Sequence, residues 1–311
     1  MIVVCGEALI DMIHNGDGTQ RAAPGGGPFN TARALARLGV PTAFLGRLSE
    51  DVFGKELAGL LVSDGASLKL ASVGSESTTI AIANVDSEGL AEYEFLIQGT
   101  SAPNLTLDMI PEQFGPEVDA LYFGTLGLVL EPMASTLADL VAREHGRHLL
   151  VLDPNVRLGL ADEREYRQRL HTALTQSTIV KASDSDLAWL YPGLGHERAA
   201  DRILSDGVSL VVVTLGAKGA FGAHRDARVR VAAPQVEVVD TIGAGDAFGA
   251  GLVAWLHDHG AIRPDFRLER EELEAALEFA CLVAAITCTR AGADPPWRAE
   301  LAEGTRALPN N

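Results

Sequence analysis

The residues best placed to do chemistry are Asp240-Thr241-Ile242-Gly243-Ala244-Gly245-Asp246-Ala247-Phe248-Gly249-Ala250-Gly251. A Val-rich run (Val236, Val238, Val239) precedes them and an apolar segment, Leu252 to Leu256, follows, which predicts strand, glycine turn and helix. Small residues at the turn leave backbone N–H groups bare at a helix start, where unpaired donors and the helix dipole favour an anion. A carboxylate in that same first turn, Asp246, would repel an anion that was merely held. The pairing makes sense if the amides stabilise charge on a group in transfer while the carboxylate takes a proton from the attacking atom. Phosphoryl transfer to a hydroxyl needs that combination. An acidic residue that only complements a helix dipole has the same spacing, so both readings stay open on this stretch alone.

The elements that must position it can be read along the chain. Residues 1–5 form a short apolar strand, and Asn15-Gly16-Asp17-Gly18 is a hairpin-type turn that makes 9–24 two exposed strands. Gly25-Gly26-Gly27-Pro28 opens a helix with Ala32, Leu35, Ala36 and Leu38 on its buried side, ending at Gly39. Thr42 to Leu45 reads as a strand and Glu50 to about Val62 as a helix. Residues 67–99 change character, with alternation at Thr78, Ile80, Ile82, Tyr93, Phe95 and Ile97 around a turn at Asp86-Ser87-Glu88-Gly89. That predicts an antiparallel ribbon, which with 9–24 makes a small β-sheet lid.

From 118 onward strands (118–123, 148–152, 178–181, 209–214) alternate with helices (near 132–145, 163–175, 184–191, 197–205). A hairpin at 219–231 and helices at 246–258 and 269–288 follow. The rhythm predicts an α/β fold with a doubly wound, mostly parallel central sheet flanked by helices, residues 1–311 forming one domain with the lid inserted. Ligands in such sheets sit beyond the carboxyl ends of the strands. The polar residues expected there are Asp11, Asp153, Asn155, Arg157, Ser183, Asp186, Thr214 and Gly216.

Composition narrows the classes. Hydrophobic residues at 47% and charged residues at 22% are the mix of a globular protein. A net charge of −17 without a Lys/Arg cluster argues against a nucleic-acid partner. It leaves a bound nucleotide possible, because a glycine nest or divalent metal can supply local positive potential. No apolar run approaches the ~20 residues of a membrane span, and the N-terminus lacks the basic flank of a signal peptide. Cys281 and Cys288 lie roughly 10 Å apart by helix rise, too far to bridge, so the three cysteines read as core thiols in a reducing cytoplasm. The histidines show no metal spacing.

Three glycine sites differ in meaning. Gly25-Gly26-Gly27 follows a hairpin, and Asn30 stands where a dinucleotide fingerprint needs its third glycine. No Gly-x4-Gly-Lys-Ser/Thr occurs, which excludes a P-loop. Thr214-Leu215-Gly216-Ala217-Lys218-Gly219 could close over phosphate or simply turn the chain. Taken together, Gly25-Gly26-Gly27-Pro28-Phe29-Asn30-Thr31-Ala32 with Gly39, Gly46-Arg47-Leu48-Ser49-Glu50-Asp51-Val52-Phe53-Gly54 and Asp240 to Phe248 resemble the ribokinase-like (phosphofructokinase-B type) sugar kinases, from Ile2 to about Trp297.

The resemblance implies roles. Asp246 would be the base that deprotonates the sugar hydroxyl, and the amides of Gly243, Ala244 and Gly245 the anion hole for the γ-phosphoryl group of ATP. Asp11, Gly26, Gly27 and Asn30 resemble the sugar-binding positions; a carboxylate acceptor and an amide that both donates and accepts suit paired hydroxyls. A helix cap is the plainer reading of Asn30. Ser183 and Asp186 occupy the place of the family's Asn-x-x-Glu, which organises Mg²⁺ and its waters; their plainer reading is a helix N-cap with an acidic first turn. Thr214, Gly216 and Gly219 resemble nucleotide-phosphate contacts, with Gly245 and Ala280 on the adenine side. A monovalent cation, K⁺, is implied at the Asp240 carboxylate and carbonyls near Ile242, Thr287, Arg290 and Gly292. Asp153-Pro154-Asn155-x-Arg157 is similar to a segment of fructokinase-like members, and Arg157 could meet a sugar or phosphate oxygen. The Trp often found after it is replaced by Leu158-Gly159-Leu160.

The expected reaction is ATP-dependent phosphorylation of a free monosaccharide, fructose before ketodeoxygluconate, ribose or a nucleoside. Few basic residues in the lid (Arg21, Lys69) argue against a phosphorylated sugar. A nicotinamide-dependent oxidoreductase would need Gly-x-Gly-x-x-Gly after the first strand, where Gly6-Glu7-Ala8 stands instead. A silent sugar sensor would not need Asp246 and its glycines, and both are intact. Exposed lid strands invite pairing with a second copy, so a homodimer is expected there.

Overall fold

The computed structural model describes residues 1–14, 19–85, 91–225, 227–263 and 265–301. The two turns expected at Asn15–Gly18 and Asp86–Gly89 lie outside the described residues.

An eight-stranded sheet forms the frame. In chain order its strands are β1 (Ile2–Cys5), then, past a separate pair β2 (Leu9–His14) and β3 (Gln20–Gly25), β4 (Thr42–Leu45). After β5 (Arg47–Ser49), β6 (Ser72–Gly74), β7 (Ile80–Val85) and β8 (Ala91–Leu96) come β9 (Ala120–Gly124), β10 (Leu149–Asp153), β11 (Ile179–Ser183) and β12 (Leu210–Thr214). The hairpin β13 (Ala220–His224) and β14 (Ala227–Val231) closes the set. The spatial order is β14-β13-β12-β11-β10-β9-β1-β4, parallel from β4 to β12 and antiparallel at the hairpin.

Strands buried on both faces read as near-continuous apolar runs, and alternate side chains assign each face. Ile2 and Val4 point to α1 (Gly27–Arg37), α2 (Val52–Asp64), α7 (Ala244–Asp258) and α8 (Arg270–Cys288), packing with Phe29, Leu57, Phe248 and Leu277. Val3 and Cys5 point to α3 (Met133–Glu144), α4 (Glu163–Gln176), α5 (Asp184–Leu190) and α6 (His196–Ser205), packing with Leu137, Leu170, Leu187 and Ile203. Helices on both faces make the fold doubly wound, as the βα rhythm predicts. No helix among the described residues is long and apolar enough to cross a membrane. All three cysteines are free.

Charge fixes some joints as firmly as packing does. Arg33 of α1 donates through Nε to Asp64 of α2 at 2.6 Å, both side chains being nearly fully buried. Leaving one such partner unpaired costs about 3–5 kcal/mol, so these helices are held in register by the ion pair. Asp51 caps α2 by accepting from the Gly54 N–H, and it also accepts from the amide and hydroxyl of Thr78. The helix start is thereby tied to the foot of β7.

A separate four-stranded sheet, ordered β3-β2-β7-β8, stands off the main one. Its two hairpins, β2–β3 and β7–β8, are antiparallel as the sequence predicts, but residues 67–79 do not belong to that ribbon. β2 and β7 pair in parallel, which the long crossover through α1, β4 and α2 allows. Ser72–Gly74 leaves this sheet to pair with Arg47–Ser49, and Ser67 bridges Ala43 on the main sheet. Among the described residues its edges, β3 and β8, have no further strand partner. A second correction concerns Val236 to Val239, which form no strand. Val238 and Val239 are 58% and 61% exposed, and the segment is held by the Val239 and Asp240 N–H groups donating to the Cys288 carbonyl at the end of α8. β14 ends the sheet, and these valines do not add to its edge.

Candidate active site

Beyond the carboxyl ends of the parallel strands, facing the small sheet, lies a cleft of about 1010 Å³. Its walls bring together Asp11, Gly26, Gly27, Asn30, Arg157, Ser183, Asp186, Thr214, Ile242, Gly243, Gly245 and Asp246.

Glycine is required where β3 turns into α1. Gly26 sits at φ 104 as the N-cap, and a Cβ there would come within 2.8 Å of the Glu7 carbonyl oxygen. A Cβ on Gly25 would overlap the Asp11 carboxylate, and one on Gly27 would lie 2.7 Å from Thr125 and 3.3 Å from Asp246. The bare backbone lets three polar side chains converge. Asn30 lies inside α1, not at its cap, and its Nδ2 donates to Asp246 Oδ2 at 2.9 Å. Its Oδ1 is buried and has no partner among the described residues, an acceptor free to meet a ligand hydroxyl.

The turn before α7 is the uncapped helix start that the sequence predicts. Gly243 is the N-cap at φ 75, no side chain caps the helix, and Ala293 packs where a Cβ would go. The Ala244 N–H turns back to the Thr241 carbonyl at 3.2 Å. Ala244 is therefore corrected from anion donor to turn residue, with Gly243 and Gly245 on the cleft wall. Asp246 is 9% exposed. Burial pushes its carboxyl up to about 7, with Asp153 adding to the rise and the Asn30 hydrogen bond, Lys181 and Arg157 opposing it.

Asp11, on β2, is pushed up to about 6 by burial against the opposing field of Arg157. The Arg157 guanidinium is exposed and bonds only weakly, at 3.4 Å, to the Val156 carbonyl, so it is free to reach into the cleft. The Asp186 carboxylate is more committed. It accepts from the Val156 N–H at 2.8 Å, the Ser183 N–H at 2.8 Å and the Ser183 hydroxyl at 2.6 Å. Ser183 and Asp186 thus form the capping box of α5, the plainer of the two readings open to them.

Thr214 ends β12 on the cleft wall, and Gly216 follows it in an exposed turn at φ 59. Gly219 and Ala280 do not reach the cleft, which corrects two expectations. A Cβ on Gly219 would overlap the Val231 carbonyl oxygen, so this glycine is there to let the turn pack on β14. Ala280 is 0% exposed and meets Gly251 where α7 and α8 cross. Behind the anion turn, Asp240 accepts from the Ile242 and Gly292 N–H groups at 3.0 and 2.8 Å. The carbonyls of Thr287 and Gly292 accept from the Arg290 and Asp294 N–H groups. The Arg290 guanidinium pairs with Glu300. No cluster of metal-ligating side chains occurs among the described residues.

Two residues of the site escaped the sequence reading. Glu7, 1% exposed at the end of β1, accepts from the Thr125 hydroxyl, and its Oε2 has no partner among the described residues. Burial raises its pKa, with the Thr125 bond opposing. Thr125 itself sits at φ 51, a costly conformation for a β-branched residue of the kind that collects at functional sites. Lys181 is the other, an ammonium 5% exposed that donates to Asp153 Oδ2 at 2.7 Å. An acid straight after a buried strand and a lysine inside one were the available signals.

Residues 1–300 match the pfkB family of carbohydrate kinases. The chain belongs to that family. Among its pfkB relatives, a fructokinase of Rhizobium leguminosarum bv. trifolii is 39% identical over 82% of this chain and 79% of its own. Fructokinase-1 of Oryza sativa subsp. japonica is 33% identical over 95% and 94%. The fold also matches a crystal structure of fructokinase from Vibrio cholerae O395 with fructose, ADP and calcium bound, at TM-score 0.86 and 28% identity over 97% of both chains. A fructokinase from Xylella fastidiosa with bound ATP matches at TM-score 0.89 and 25% identity over 98% of both.

Proposed function

We propose that this pfkB-family cleft phosphorylates a hydroxyl of a free monosaccharide with ATP as donor, fructose being the substrate that its relatives favour. The observation that carries the reading is geometric: Asp246 and the uncapped start of α7 open on the same cleft as Asp11 and Asn30. Asp11 and Asn30 Oδ1 accept from sugar hydroxyls. Asp246 takes the proton of the reacting hydroxyl as its oxygen bonds to the γ-phosphorus. The bond to the bridging oxygen breaks and its electron pair leaves with ADP. Mg²⁺ enters with ATP as part of that substrate. The small sheet serves as a lid that keeps water from the phosphoryl group. Coupled ADP release over fructose, ribose, ketodeoxygluconate, glucose and adenosine is expected to give fructose the highest kcat/KM; no release with any of them ends the proposal.

The raised pKa of Asp246 gives this activity a pH signature. Only the ionised carboxylate can accept the proton, so kcat/KM falls as the pH drops through about 7 and levels off above it. A profile flat down to about pH 5 assigns the proton to another group.

The Asp240 loop is our assignment for a monovalent cation. Its carboxylate fastens the Ile242 and Gly292 turns together, and the Thr287 and Gly292 carbonyls each keep a lone pair beyond their one hydrogen bond. A cation bound there supplies positive potential behind the anion turn. Replacing K⁺ by tetramethylammonium is expected to slow turnover, and an unchanged rate removes the cation from the scheme.

A further inference from the structure

Lysine inside a strand buried on both faces needs a reason, since its charge must leave water. The register supplies part of one. Val151 lies beside Ile179, so two residues on Asp153 lies beside Lys181, both on the face that α7 covers. Tyr122 of β9, beside Val151 in the register, also donates to Asp153 Oδ2, at 3.1 Å. Neutralising Asp153 does not account for the whole arrangement. Among the described residues Asp153 Oδ1 has no partner, and the ammonium carries three hydrogens, of which one goes to Asp153. Nζ stands 3.3 Å from where a Cβ on Gly245 would be, beside the uncapped start of α7. Charge balance points the same way: among the described residues Glu7, Asp11, Glu94, Asp153, Asp186 and Asp246 line the cleft, against Lys181 and Arg157. Arg157 stands exposed on the rim, which leaves Lys181 as the buried cation at the turn.

We propose that Lys181 is a catalytic residue that donates a hydrogen bond to a nonbridging oxygen of the phosphoryl group in transfer, held at the mouth of α7 by Asp153. The proposal rests on the sugar-kinase reading. As the bond from sugar oxygen to phosphorus forms and the bond to ADP breaks, charge spreads over the equatorial oxygens, where a fixed donor acts most strongly. The hydroxyl proton goes to Asp246 and the electron pair leaves with ADP, while Lys181 keeps its three protons throughout.

The test compares Lys181→Met, Lys181→Arg and the double variant Lys181→Met/Asp153→Leu, which removes both charges and leaves no unpaired ion in the core. Loss of one such donor lowers kcat about 10²–10³-fold, so Lys181→Met and the double variant are expected to fall by that factor with KM for the sugar little changed. Lys181→Arg is expected to lie between them and wild type. By calorimetry, a nonhydrolysable ATP analogue loses about tenfold in affinity against unchanged ADP, the size of one lost charge-assisted hydrogen bond. A folded double variant that turns over like wild type makes the pair structural and overturns the proposal. If wild type phosphorylates no sugar, the kinase reading fails by itself. The calorimetric arm still decides on Lys181: lost discrimination between the analogue and ADP supports it, and intact discrimination overturns it.

Discussion

Asp246→Asn is expected to lower kcat by about 10²–10⁴-fold, the range that a positioned base contributes. The substitution keeps the shape of the side chain and an oxygen to accept from Asn30 Nδ2, so the joint between α1 and α7 stays intact. It removes only the ability to take the hydroxyl proton. Positioning and charge stabilisation supply most of the rate in loose phosphoryl transfer, and those parts remain, so residual turnover stays measurable. Sugar binding, followed by calorimetry, is expected to change little. Normal turnover in this variant would show that Asp246 is not the base.

Asp11→Ala is expected to act on the other half of the site. Asp11 lies against the backbone of Gly25 and faces the cleft from the small sheet. A hydrogen bond to a charged acceptor is worth about 1.5–3 kcal/mol, so its loss raises KM for the sugar by roughly 10–100-fold at near-neutral pH. In the proposed mechanism the chemistry runs on Asp246 and the α7 turn, so kcat at saturating sugar is expected to change far less. Steady-state kinetics on the preferred sugar separates the two effects. A variant that loses kcat and keeps KM places Asp11 with the chemistry instead.

The parts of this site that could be read in the sequence are those whose neighbours in space are neighbours in the chain. Gly243, Gly245 and Asp246 share one helix turn, and Gly26, Gly27 and Asn30 share another, so spacing alone brings them together. The βα rhythm was legible for the same reason, each strand and helix announcing itself locally. Glu7 and Lys181 were not, because each acquires meaning from a partner far along the chain. Lys181 meets Asp153 through strand register, and Glu7 meets Thr125 through a loop after a different strand. The Val236–Val239 misreading has the opposite cause: its residues favour a strand, but a strand needs a neighbour, and among the described residues the segment pairs with none and is held by the end of α8 instead. Ala280 and Gly219 sit near the site in sequence logic and are turned from it by close packing.

The small sheet is not hung from the main body by one strap. Its four strands leave and re-enter through separate connections at 6–8, 26, 75–79 and 97–101. Gly6 and Gly26, at φ 142 and φ 104, occupy two of them. A panel moored at four corners has no single pivot, so any closing stroke has to be shared as small torsions among all the moorings. In the proposed lid role, stiffening one corner would therefore shorten such a stroke without abolishing it.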